Sequence, residues 1–187
     1  MDLASPSFYN LDSILMTVLN TERLVLRPWR KDDCKSLPTL ANNRKIWLNV
    51  RDLFPHPYTL EDATRWIQHS AENPHHHNFA VTHEETLIGA VGLHLLTDVY
   101  RRAAEIGYWL GEPYWGKGFM TEAVKKVTDW AFKTFDICRI QAGCFESNRA
   151  SMRVLEKAGY HLEAELKKFL TKDGSTFNEL LYVKLKD

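Results

Sequence analysis

The sequence lacks an excess of charge of either sign: Lys and Arg total 24 and Asp and Glu total 24, leaving a formal net charge of zero. That balance gives no electrostatic footprint for a nucleic acid and no acidic tail for a basic partner. Cysteine is scarce too. Cys34, Cys138 and Cys144 are odd in number and show no CxxC spacing, which excludes a disulfide framework and points to free thiols in a reducing, cytoplasmic setting. No run approaches the roughly 18 apolar residues needed to cross a bilayer. The start has no positive region ahead of its short apolar run Ile14-Leu15-Met16, so no signal peptide and no membrane partner are expected. Repeats and low-complexity tracts are absent as well.

What is present is the composition of one globular domain, 44% hydrophobic and 26% charged over 187 residues. Residues 1–20 read as an N-terminal extension, with Leu11, Ile14, Leu15 and Val18 at amphipathic-helix spacing. The extension is a candidate contact between two copies of the chain, a lid or a tail. Residues 21–187 read as the domain. Glu22 to Arg27 alternates as a strand, and a helix opens near Lys31. Thr59 with Asp62 makes a capping box ahead of a second helix. Phe79-Ala-Val-Thr82 and Thr86 to Leu96 flank a His83-Glu-Glu turn as a hairpin, and Ala103 to Leu110 is a further strand. A helix from near Met120, a strand from Ile137 to Phe145 and a helix from Ala150 to Ala158 follow. Two last strands join at Asp173-Gly174, a strong hairpin signal. The order predicts a mixed α/β domain with a sheet of six or seven strands.

The chemistry concentrates at Trp115-Gly-Lys-Gly-Phe-Met-Thr-Glu-Ala123, between a strand and a helix. Glycines there allow a sharp turn and close approach of a ligand. The unpartnered amides and dipole of the helix N-terminus suit a phosphate. Gly111 to Lys117 also matches the front of a phosphate-binding GxxxxGK loop, but the Ser or Thr that would ligate magnesium is replaced by Gly118.

Three segments in order resemble the GNAT superfamily of N-acetyltransferases, in its RimJ/RimL-like branch: Thr21-Glu-Arg-Leu-Val-Leu-Arg-Pro-Trp29, Glu105-Ile-Gly-Tyr-Trp-Leu110 through Ala123, and Asn148-Arg-Ala-Ser-Met-Arg-Val-Leu-Glu-Lys-Ala-Gly-Tyr160. The resemblance covers about residues 20 to 185. It implies a sheet whose two central strands, 103–110 and 137–145, splay apart, with a bulge near the end of the first, and acetyl-coenzyme A as co-substrate. Trp109 and Leu110 would hydrogen-bond the pantetheine arm through their backbones. Amides of Gly116, Lys117, Gly118, Phe119, Met120 and Thr121 would hold the pyrophosphate, and Asn148 would contact the arm. Trp47, Phe54 and Tyr58 fall where the family builds its acceptor wall, and they read equally as core aromatics.

Acyl transfer to an amine needs a deprotonated amine, a donor for the developing oxyanion and a thiolate that can leave. Glu105, a charge in an otherwise apolar strand, is the first candidate base and Glu146 the second. The resemblance places the Leu110 N–H beside the thioester carbonyl. It also places Leu155 where many relatives carry a thiolate-protonating tyrosine, and Ser151 where this branch carries a serine. The implied function is acetyl transfer from acetyl-coenzyme A to a primary amine, either the α-amino group of a protein or a small amine. A non-catalytic sensor of acyl-coenzyme A is the alternative. His75-His76-His77 has no second ligand cluster and reads as a polar loop, so no metal is expected.

Overall fold

Eight strands form one sheet in the order β1-β2-β3-β4-β5-β6-β8-β7. This computed structural model describes residues 17–72 and 76–186. The helical spacing read at Leu11, Ile14 and Leu15 lies outside them. β1 (Leu19–Asn20) pairs antiparallel with β2 (Leu24–Arg27), and this two-residue strand brings the count to eight. In β2, Leu24 and Leu26 are buried and Val25 faces out, as the alternation requires.

A 3-10 turn (Lys31–Lys35) and α1 (Leu37–Ala41) follow β2. Asp33 in that turn receives two 2.8 Å hydrogen bonds from the Arg27 guanidinium, and both side chains are buried. Next come α2 (Arg44–Trp47) and α3 (Leu60–Glu72). The capping box forms: the Thr59 N–H donates to Asp62 Oδ2 at 2.8 Å, and the Asp62 N–H to Thr59 Oγ1 at 3.2 Å.

β3 (His76–His83) and β4 (Thr86–Leu95) make the expected hairpin. Glu84 and Glu85 both have positive φ, 48° and 64°, as a two-residue turn of this hand demands. The histidine run corrects the loop reading. His76 and His77 belong to β3, and the His77 ring is buried, stacked on Phe135 and edge-on to Trp130. His75 lies outside the described residues.

β5 (Ala103–Leu110), α4 (Phe119–Thr134), β6 (Arg139–Phe145) and α5 (Arg149–Lys157) carry the centre of the molecule. α4 buries Met120, Ala123, Val124, Val127 and Ala131, a stripe at helical spacing, against one face of the sheet. α5 ends at Gly159, whose φ of +87° suits the left-handed cap. Aromatic and aliphatic groups of α1 and α3, with Tyr58, cover the other face at Ala80 of β3 and Leu87 of β4. β7 (His161–Lys172) and β8 (Ser175–Leu185) close the sheet through the Asp173-Gly174 turn.

The parallel pairing of β5 with β6 lasts only from Ala103↔Arg139 to Glu105↔Gln141. Beyond it β5 stays with β4 as far as Leu110, and β6 stays with β8 as far as Phe145. The two strands therefore part. The expected bulge in β5 is not the cause, because the β4–β5 register runs unbroken from Leu95↔Ala104 to Gly89↔Leu110. Each strand instead follows its full-length antiparallel neighbour, and the twist of the two half-sheets carries them apart.

Candidate active site

The gap opens into a cleft of about 1710 Å³ that runs from the N-terminus of α4 to the tip of the β7–β8 hairpin. At the α4 end, Gly116 and Gly118 have φ of 74° and 80°, and a Cβ at Gly116 would meet nothing within 4 Å. The first bond inside α4 is donated by the Glu122 N–H to the Gly118 carbonyl at 3.1 Å. The amides of Phe119, Met120 and Thr121 thus have no partner within the helix and sit at its positive end. These features fit a diphosphate. Lys117 does not line the cleft; its ammonium stands 5.7 Å from the Tyr114 ring centre, which leaves its backbone as its contribution to the loop.

The loop is braced from the first strands. Arg23 donates from Nη1 to the Lys117 carbonyl at 3.0 Å and forms an ion pair with Glu122 at 2.7 Å. Glu122 also accepts from the Thr21 hydroxyl and the Arg23 N–H. Its partial burial raises the carboxyl pKa, but these bonds outweigh burial and hold it below the ordinary value.

Backbone parity decides which groups of β5 face the gap. The Gly111 N–H donates to the Ile88 carbonyl and the Leu96 N–H to the Ala103 carbonyl. By the alternation of an antiparallel ladder, odd-numbered residues of β5 bond to β4 and Ile106, Tyr108 and Leu110 turn their N–H and C=O groups into the gap. Trp109 is therefore a correction. Its backbone is spent on Ala90 of β4, and its indole lies on the other face, edge-on to Phe54 at 5.8 Å. Its neighbour Tyr108 is the one whose backbone groups face the gap. The Leu110 carbonyl already accepts from the Trp115 indole at 2.6 Å, so its N–H is the group left for a ligand.

Ser151 faces the gap from the first turn of α5. The Asn148 side chain caps that helix by accepting from the Ser151 N–H at 3.1 Å. Ser151 needs no hydroxyl bond to its own helix; its Oγ instead lies 2.8 Å from the Tyr108 hydroxyl and also contacts the Cys144 thiol. Burial pushes the Cys144 thiol up, away from the thiolate a nucleophile needs. Leu155 is fully buried in the core and brings no proton donor.

On the opposite face, Glu105 of β5 is paired with Arg51 from the segment after α2. Across the gap stands Glu179 of β8, which no sequence signal singled out. Its carboxylate lies over Gly143 of β6, where any Cβ would overlap it. Burial, and then the negative charge of Glu105, push the Glu179 carboxyl up; Arg51 opposes them. Among the described residues no group donates a hydrogen bond to it. Glu146, the second candidate base, does not line the cleft and accepts from the Asn178 N–H at 2.7 Å.

Phe54 and Tyr58 line this end of the cleft, 4.9 Å apart between ring centres. Tyr58 is 6% exposed and also belongs to the core. Trp47 does not line it. Its ring receives the Lys172 ammonium at 4.1 Å, and that ammonium also donates to Asp52 at 2.7 Å. Trp47 thereby anchors the β7–β8 tip to α2. Among the described residues there is no group of three or more His, Cys, Asp or Glu placed to hold a metal. No helix there is long and apolar enough to cross a membrane.

The acetyltransferase (GNAT) domain family matches residues 23–161, and the chain belongs to that family. An uncharacterized N-acetyltransferase of Bacillus subtilis, YoaA, is 28% identical over 175 residues, spanning 90% of this chain and 96% of its own. The probable N-acetyltransferase YjcK of the same organism is 38% identical over 122 residues, 63% of this chain and 67% of its own. Among solved structures, the ribosomal-protein-S5-alanine acetyltransferase of Vibrio fischeri superposes with a TM-score of 0.76 at 28% identity, covering 91% of this chain and 97% of that one. The chain is thus an acetyl-coenzyme A-dependent N-acetyltransferase, and the cleft is where its two substrates must meet.

Proposed function

We propose that the acceptor is the α-amino group of a protein or peptide, and that the splayed gap carries the transfer. The observation that supports this most is the joining, in one cleft, of unpartnered α4 amides, gap-facing N–H groups on β5 and the Glu179 carboxylate on the opposite face. Amides from Gly116 to Thr121 hold the pyrophosphate of acetyl-coenzyme A. The backbone of Tyr108 and Leu110 and the side chain of Asn148 line its arm, and the Leu110 N–H donates to the thioester oxygen.

Glu179 accepts the proton of the attacking amine, directly or through one water. A carboxyl held above its ordinary value is better matched to that task than a freely solvated one. Glu105, tied to Arg51, acts beside it by setting its charge. Ser151 donates a proton to the departing sulfur. An α-amino group, with an ordinary pKa of about 7.7–8.0, needs far less help than a lysine at about 10.4. The likeness to the ribosomal-protein-S5-alanine acetyltransferase supports the same acceptor. A chain of zero net charge offers no steering toward a polycation. The free thiols of Cys34, Cys138 and Cys144 fit a cytoplasmic setting.

The test is coenzyme A release on a panel of peptides with free N-termini, the same peptides blocked at the N-terminus, and polyamines. Turnover confined to free N-termini is expected. Equal turnover of blocked, lysine-containing peptides or of polyamines alone would reject the acceptor assignment.

A further inference from the structure

Ser151 sits between two side chains that the reaction has not yet used: the Tyr108 phenol of β5 at 2.8 Å and the Cys144 thiol of β6. Tyr108 and Ser151 therefore form a bar from one splayed strand to the helix that follows the other. A serine hydroxyl has a single proton and two lone pairs, and it rotates freely unless a neighbour fixes it. Only a hydroxyl proton aimed into the gap can reach a departing sulfur.

We propose that Tyr108 is the positioning residue for Ser151: its phenol donates to Ser151 Oγ, occupies a lone pair there and leaves the serine proton free for the leaving thiolate. This rests on the role given to Ser151 above. The phenol lies 2.8 Å from Ser151 Oγ, a contact in which either oxygen can donate, and 3.3 Å from the Ser151 carbonyl; the proposed arrangement directs its one proton to the nearer oxygen. Burial is the largest influence on the phenol and holds its pKa above the ordinary range. Tyr108 is accordingly a protonated phenol at neutral pH, with a proton to donate.

Leu155, buried in the core, cannot supply a phenol from α5. β5 brings one to the serine one turn earlier. Because even-numbered residues of β5 turn their side chains toward α4 and α5, position 108 is the one that reaches Ser151, between the buried Ile106 and Leu110.

In the step itself the amine nitrogen bonds to the thioester carbonyl carbon, the carbon–sulfur bond breaks and sulfur takes its electron pair. The Ser151 proton moves to sulfur as Glu179 holds the proton removed from the amine. After coenzyme A leaves, Ser151 takes a proton from water and Glu179 gives up the amine's proton to water, so both groups return to their starting state. Tyr108 gives up none.

The experiment is a double-mutant cycle of Tyr108→Phe and Ser151→Ala, assayed with acetyl-coenzyme A and a peptide with a free N-terminus. Tyr108→Phe keeps the ring packed against the core. We expect kcat to fall on the order of tenfold in Tyr108→Phe, with KM for acetyl-coenzyme A and calorimetric affinity for coenzyme A unchanged. In the Ser151→Ala background, Tyr108→Phe should cost nothing further. Full activity in Tyr108→Phe beside a slow Ser151→Ala overturns the proposal and leaves the role of Ser151 standing. Losses that multiply in the double variant also overturn it, because Tyr108 would then act independently. Full activity in Ser151→Ala removes the role of Ser151 itself.

Discussion

The Glu179 carboxylate on β8 lies over Gly143 on β6, in space that any side chain at position 143 would fill. Glycine here makes room for the functional group of another strand rather than for a turn. In Gly143→Ala the atom in the way is the far end of a flexible side chain, so the fold can adapt. The thermal midpoint should change little while kcat drops on the order of tenfold, because the carboxylate is pushed from its place. An unchanged kcat would show that Glu179 need not be there.

The pH dependence of turnover follows from the same pair. Glu179 must be ionised to accept a proton, and burial together with Glu105 raises its carboxyl. The acid limb of kcat/KM should therefore lie above the ordinary glutamate value. Glu105→Gln removes a negative neighbour and frees Arg51, whose charge lowers the same carboxyl. Both changes move the limb toward lower pH. Glu179→Gln should abolish the limb and most of the rate, and a limb that survives in it would assign the base elsewhere.

At the glycine-rich loop, Gly118 holds φ of +80° at the start of α4, with the Arg23 guanidinium 3.5 Å from where a Cβ would stand. Gly118→Ala should cost about 1–2 kcal/mol of stability from the left-handed backbone alone. It should also weaken coenzyme A binding by calorimetry, since the amides that follow would tilt. Glu122→Gln should weaken binding through loss of the Arg23 brace while leaving the helix intact by circular dichroism.

The Arg27–Asp33 pair is buried on both sides. Asp33→Ala leaves a guanidinium without its carboxylate, and denaturant unfolding should report a loss of about 3–5 kcal/mol. A loss below 1 kcal/mol would mean that water replaces the carboxylate at no cost.

Several of these features could be read before any fold was known, and they share a cause. The Asp173-Gly174 turn, the Thr59–Asp62 capping box and the glycines at 116 and 118 are fixed by contacts within a few residues, so their signals are local. Trp109 marks where reading stopped short. The segment was identified, but which of two adjacent residues turns its backbone into the gap depends on hydrogen-bond parity with β4. One ladder bond, from Gly111 to Ile88, sets that parity. Trp47 failed for a different reason: its partner Lys172 is 125 positions away in number and meets it only when the β7–β8 tip folds over α2.

By itself the sequence determined the family, the order of the elements and the glycine-rich loop ahead of α4, because each follows from short-range geometry and periodicity. Only the tertiary structure brought the proposed reacting groups together. Glu179 carries no local signal in Phe177-Asn-Glu179, and its place over Gly143, beside Glu105 and across from Ser151, exists only once β8 pairs with β6. Its raised pKa has the same origin, since burial and the neighbouring charge come from residues distant in the chain and close only in the folded sheet.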